Sequence, residues 1–144
     1  MRHPSTIAKL TIKISLSSVM GIIAMALHSP ATARPYPDEV AVCYAFQGDT
    51  LERREPCVIS AGYGAGAHYA TLHWLNESST TIYMINACSD MEYDDRGFCA
   101  YLVDDQDATP YERDIFLNVA SVDDPGNMPC FRTIETHESI CYRF

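Results

Sequence analysis

From Val40 to Phe46 apolar and small residues alternate with a period of two: Val40, Val42, Tyr44 and Phe46 fall on one side, and Ala41, Cys43 and Ala45 on the other. That period belongs to a β-strand. Gln47-Gly48-Asp49 reads as a turn, and a second strand near Glu55 to Ser60 carries Cys57 back toward Cys43. The best-defined hairpin is His68 to Asn86. Ala70, Leu72 and Trp74 share a face, Asn76-Glu77-Ser78-Ser79 turns the chain, and Thr80 to Asn86 returns with Ile82 and Met84 opposite Tyr83 and Ile85. Both faces of that return strand are apolar, which predicts a central strand.

A strand from Phe98 to Val103 follows the acidic loop Asp90 to Arg96, and Asp104-Asp105-Gln106-Asp107 is a solvated turn. Residues 109 to 122 are open to two readings. Thr109, Pro110 and Glu112 make a helical capping box, with Tyr111, Ile115, Val119 and Val122 at helical spacing, whereas Ile115, Leu117 and Val119 alternate as in a strand. The balance favours a capped turn followed by a strand. Asp123-Asp124-Pro125-Gly126 is a turn by composition, and strands near Cys130 to Ile134 and Ile140 to Phe144 close the chain. The expected fold is all-β: a small antiparallel sandwich or barrel of about seven or eight short strands, stapled by disulfides.

The staples follow from compartment and cysteine spacing. Residues 1–33 have the three-part order of a secretory signal: cationic Arg2, Lys9 and Lys13, an apolar run from Ile14 to Leu27, and small residues ending Ala31-Thr32-Ala33. The apolar run is short of the roughly 20 residues that cross a bilayer, so no stable membrane anchor is expected. Cleavage after Ala33 would leave residues 34–39 as a loose extended leader and 40–144 as one domain. All six cysteines lie in that domain, an even number suited to an oxidising compartment, periplasmic or secreted. Cys43 and Cys57 enclose 13 residues, while Cys88/Cys99 and Cys130/Cys141 enclose 10 each, so every neighbouring pair brackets one hairpin. Neighbour pairing is therefore favoured among the 15 possible connectivities. None of the six is spaced Cys-x-x-Cys, which leaves zinc and thioredoxin-like chemistry without support.

Charge narrows the partners. After cleavage seven basic residues, all arginine, face 19 acidic ones, a formal charge of −12 against −9 for the whole chain. Nucleic acid and anionic membrane are disfavoured, and a basic exported protein or a cationic ligand is the more suitable partner.

Candidate chemistry is sparse. Gly62-Tyr63-Gly64-Ala65-Gly66 precedes a strand pattern rather than a helix, so it reads as a flexible or bulged hairpin entry and not as a phosphate loop. His68 and His73 are five apart, which puts them on opposite faces of a strand. Asp90, Glu92, Asp94 and Asp95 with Gly97 depart from a calcium loop, because Asp95 stands where glycine is needed. Asn76-Glu77-Ser78 is a formal glycosylation sequon. No motif asks for a catalytic residue, metal or cofactor, and an enzyme is the less favoured class. Nine tyrosines suit both a core and a contact surface; the loop tyrosines Tyr63, Tyr93 and Tyr111 are the candidate binding residues.

The run Tyr63 to Trp74, the Cys88 to Cys99 segment, Pro110-Tyr111-Glu112-Arg113 and the ending Ile140-Cys141-Tyr142-Arg143 resemble an uncharacterised family of small exported six-cysteine cyanobacterial proteins. That resemblance implies export and disulfides and no particular activity. Gly66-Ala67-His68-Tyr69 ahead of Trp74 is also similar, more distantly, to the periplasmic inhibitors of c-type lysozyme, small β-barrels with a Ser-Gly-x-x-Tyr segment ahead of a tryptophan and a lysine. Ala65 replaces the serine and the mature part has no lysine. Together these readings predict an exported, non-catalytic binding or inhibitory module with an acidic surface. The alternatives are a small envelope hydrolase using Asp and Glu residues, or a structural component of the envelope.

Overall fold

A computed structural model describes residues 34–120 and 125–144, so the expected signal sequence lies outside the described residues. Ten strands follow one another: β1 (Arg34–Pro35), β2 (Glu39–Gln47), β3 (Thr50–Gly64), β4 (Ala67–His73), β5 (Ser79–Ile85), β6 (Ala100–Val103), β7 (Gln106–Arg113), β8 (Val119–Ala120), β9 (Met128–Thr133) and β10 (Glu138–Arg143). Eight of them form a closed antiparallel meander, β2-β3-β4-β5-β6-β7-β9-β10, in which β10 returns to pair with β2. Of the two expected architectures it is the barrel, which removes the unpaired edges that a sandwich would leave.

The cysteines pair as neighbours: Cys43–Cys57, Cys88–Cys99 and Cys130–Cys141. Three disulfides fit a non-reducing environment. Among the described residues no helix is long and apolar enough to cross a membrane.

Two apolar clusters hold the barrel. Inside, small Ala41 and Cys43 on β2 face bulkier Ile59, Leu72, Ile82 and Phe131 from the other strands, as an eight-stranded barrel requires, because its lumen is only wide enough for side chains. Outside, the Cys130–Cys141 disulfide is packed among Tyr44, Phe46 and Met128, with Tyr111 and Leu117 alongside. Arg113, only 2% exposed, lies across this outer cluster. Its guanidinium sits 4.2 Å from the Phe46 ring centre and donates to the Leu117 carbonyl (2.6 Å), the Tyr111 hydroxyl (3.0 Å) and Asp49 Oδ1 (2.9 Å). Arg132 reaches the same Asp49 oxygen at 3.1 Å.

Three expectations need correction. The leader is not loose: Arg34 and Pro35 pair with Tyr63 and Gly62, and the Tyr36 amide donates to the Ala61 carbonyl at 2.8 Å. Proline's missing donor costs nothing on that outermost strand. Gly62 to Gly64 are not a flexible entry either, because β3 runs on to Gly64 and the turn is only Ala65-Gly66, both at positive φ (52° and 78°), the two-residue type I′ geometry. Finally, residues 109–113 are strand and the turn follows at Asp114–Asn118, the reverse of the expected order. Pro110 tolerates the strand because β7 pairs with β6 only through Gln106 and Asp107, so its N–H side faces a gap in the wall.

Candidate functional site at the barrel mouth

Antiparallel alternation sorts the connections between two ends. At one end lie the turns around Gly48–Asp49, Leu75–Ser78, Asp104–Asp105 and Ile134–His137. These carry Asp49, Glu77, Asp104, Asp105 and Glu135. Asp49 is held by Arg113 and Arg132, and Asp104 accepts the Thr81 amide at 2.7 Å.

The other end opens into a cavity of about 300 Å³, at the small end of the range for small-molecule sites. Its floor is apolar: Ile59 and Ala61 of β3, Ala70 of β4 and Met84 of β5. Each belongs to or packs on the interior cluster, following directly from the inward half of each strand's alternation. The rim is aromatic, with Tyr36, Tyr69, Tyr142 and Phe144, and carries a single carboxylate, Glu39. Tyr142 and Phe144 meet edge to face at 5.6 Å. Gly62 makes the rim possible. A Cβ there would lie 2.6 Å from the Tyr69 hydroxyl and 2.7 Å from the Arg34 carbonyl, so only glycine lets Tyr69 and the β1 backbone close over β3.

The polar groups of the rim are under-used. The Tyr142 hydroxyl has no hydrogen-bond partner among the described residues, and burial raises its pKa above the ordinary phenol value. Glu39 lies in phase with inward-facing Ala41 and Cys43 but is itself exposed, and its carboxylate enters no ion pair or hydrogen bond with another described residue. No second carboxylate lines the cavity, so paired acid and base catalysis has no constellation to work from there.

The structure distributes the sequence-derived candidates rather than gathering them. Tyr63 stands beside the mouth, its ring 4.8 Å from that of His68, a cavity residue. Tyr93 belongs to the loop after β5 and donates to the Cys88 carbonyl at 3.0 Å. Tyr111 is on β7, not a loop, and is enclosed by Arg113 and Arg132 in the outer cluster. His68 and His73 fall on opposite faces as expected, with His73 3.2 Å from the Ser60 hydroxyl. In the acidic loop, Asp94 accepts the Tyr101 hydroxyl and the amides of Arg96 and Phe98. Burial opposes ionisation there, but those donors win and lower its pKa. The carboxylate thus closes its own loop.

Glu39, Met84 and Tyr142 were not among the sequence candidates. The signal for Glu39 was present in the strand phase, where a carboxylate continues a series of small inward residues. Tyr142 could not be placed without knowing that β10 closes on β2.

No family model matches this chain, nor does any curated protein or solved structure. The fold and cavity alone therefore define its class: a small disulfide-stapled, up-and-down β-barrel with an apolar mouth.

Proposed function

We propose that the protein is an exported, non-catalytic binding module that holds a small, largely apolar ligand in the barrel mouth. The observation that carries this reading is the cavity of about 300 Å³, floored by Ile59, Ala61, Ala70 and Met84. Eight-stranded barrels have just enough lumen to hold one small ligand when small side chains leave room, and here Ala61 and Ala70 leave it. Three disulfides and the expected signal sequence support a periplasmic or secreted setting. The test is binding of the neutral fluorophore N-phenyl-1-naphthylamine to the oxidised protein. Fluorescence should rise on binding and be abolished in Ala61→Phe, which fills the cavity, with thermal unfolding checking that this variant remains folded. An equal rise with a folded Ala61→Phe would remove the mouth as the site.

A second reading is favoured by the acidic turns at the opposite end. Asp104, Asp105 and Glu135 there have no ion-pair partner among the described residues, and such a surface suits a basic exported protein. Binding of that kind weakens as salt rises; capture of a basic protein with no salt dependence would count against it.

A further inference from the structure

We infer that the ligand of the barrel mouth is a small organic cation, an ammonium group joined to an apolar chain or ring. The inference rests on the mouth being the ligand site and adds the sign of the ligand's charge.

Among the cavity-lining residues Glu39 is the only carboxylate, and none is lysine or arginine. Its strand phase is that of the interior, so the charge stands at the entrance to an apolar floor. Glu39 itself is exposed, so its carboxylate needs no partner in the empty mouth, and no described residue pairs with it, which leaves it open to a cationic head group. Tyr36, Tyr142 and Phe144 line the same cavity, and the electron-rich faces of aromatic rings attract ammonium groups. The unpartnered Tyr142 hydroxyl can accept one further N–H. His68, the other ionisable side chain of the lining besides the tyrosines, is engaged with aromatic neighbours, 4.8 Å from Tyr63 and 5.6 Å from Phe98 between ring centres. An anionic ligand would meet Glu39 with no arginine or lysine to compensate. The excess of acidic over basic residues across the chain also concentrates cations near the surface.

Hexylammonium, 1-hexanol and hexanoate share one apolar tail and differ in charge, so comparing them isolates the head group. With methionine methyl groups labelled, the Met84 methyl resonance reports occupancy of the floor in the oxidised protein. Hexylammonium should bind at least about tenfold more tightly than hexanol, with hexanoate weakest, and in Glu39→Gln the preference of hexylammonium over hexanol, measured on that same variant, should be lost. Equal affinity for the three compounds, or a preference that survives Glu39→Gln, would overturn the cation assignment while leaving the mouth as an apolar site. If none of them moves the Met84 resonance, the binding reading and the cation assignment both fall.

Discussion

The two ends of the barrel are made by the same eight strands but solve different problems. At the acidic end every connection is a tight turn: Asp49 is gripped by two arginines and Asp104 accepts the Thr81 amide, while Asp105 and Glu135 have no ion-pair partner among the described residues. At the mouth, β1 and the end of β10 frame a space that no side chain fills, and Glu39 and the Tyr142 hydroxyl lack partners among the described residues. An apolar cavity with a few open polar groups at its rim is the usual form of a ligand site. Stability and binding should therefore be separable by mutation.

The largest effect should come from the outer clamp. Arg113→Ala orphans the Leu117 carbonyl, frees Asp49 from one of its two arginines and removes the contact with Phe46. Loss of a buried, multiply bonded arginine of this kind should cost about 3 kcal/mol, seen as a lower Tm, with mouth binding intact in the folded fraction. Replacing both Cys130 and Cys141 by alanine should cost a similar amount, about 3 kcal/mol from lost loop closure, and denaturant titration would measure it.

Gly62→Ala works on the other end. It drives a methyl group into Tyr69 and the Arg34 carbonyl, so β1 should detach with a loss of about 1–2 kcal/mol, and affinity at the mouth should fall. Amide exchange of Tyr36, whose N–H bonds to Ala61, would report that detachment.

A smaller effect is tied to pH. The hydrogen bond from Arg113 lowers the Asp49 pKa, burial opposes the shift, and the charges of Arg113 and Arg132 reinforce it. A carboxyl whose folded pKa lies below its unfolded value stabilises fully above about pH 4 and loses that contribution as pH falls through the folded pKa. Asp49→Asn should therefore be less stable than the parent at neutral pH, with the difference shrinking in acid, as Tm against pH would show. The smallest effect is expected at the mouth-end turn. Ala65 holds φ 52°, a conformation asparagine tolerates better, so Ala65→Asn should stabilise by about 0.5 kcal/mol without touching either end's chemistry.

Much of the fold was legible in the chain because period-two alternation and cysteine spacing are local signals. Val40 to Phe46, the Ala70-Leu72-Trp74 face and all three disulfide pairs could be read without tertiary information. What could not be read depended on neighbours. Pro110 looks like a helix start until the gap between β6 and β7 supplies a place for a proline in a strand. Tyr111 looks like a loop tyrosine until Arg113 and Arg132 close around it. The mouth depended on the distant pairing of β10 with β2 and of β1 with β3, which brings Tyr142 and Tyr36 to one rim. Of its parts only Glu39 carried a local signal.

The most direct test of the difference between the two ends is a crystal structure of the oxidised protein with N-phenyl-1-naphthylamine bound. The aromatic rings should lodge between Ala61, Ala70 and Met84 beneath Tyr142, with the acidic turns unchanged. A probe seated at the acidic end or on the outer cluster, with the mouth empty, would contradict that placement.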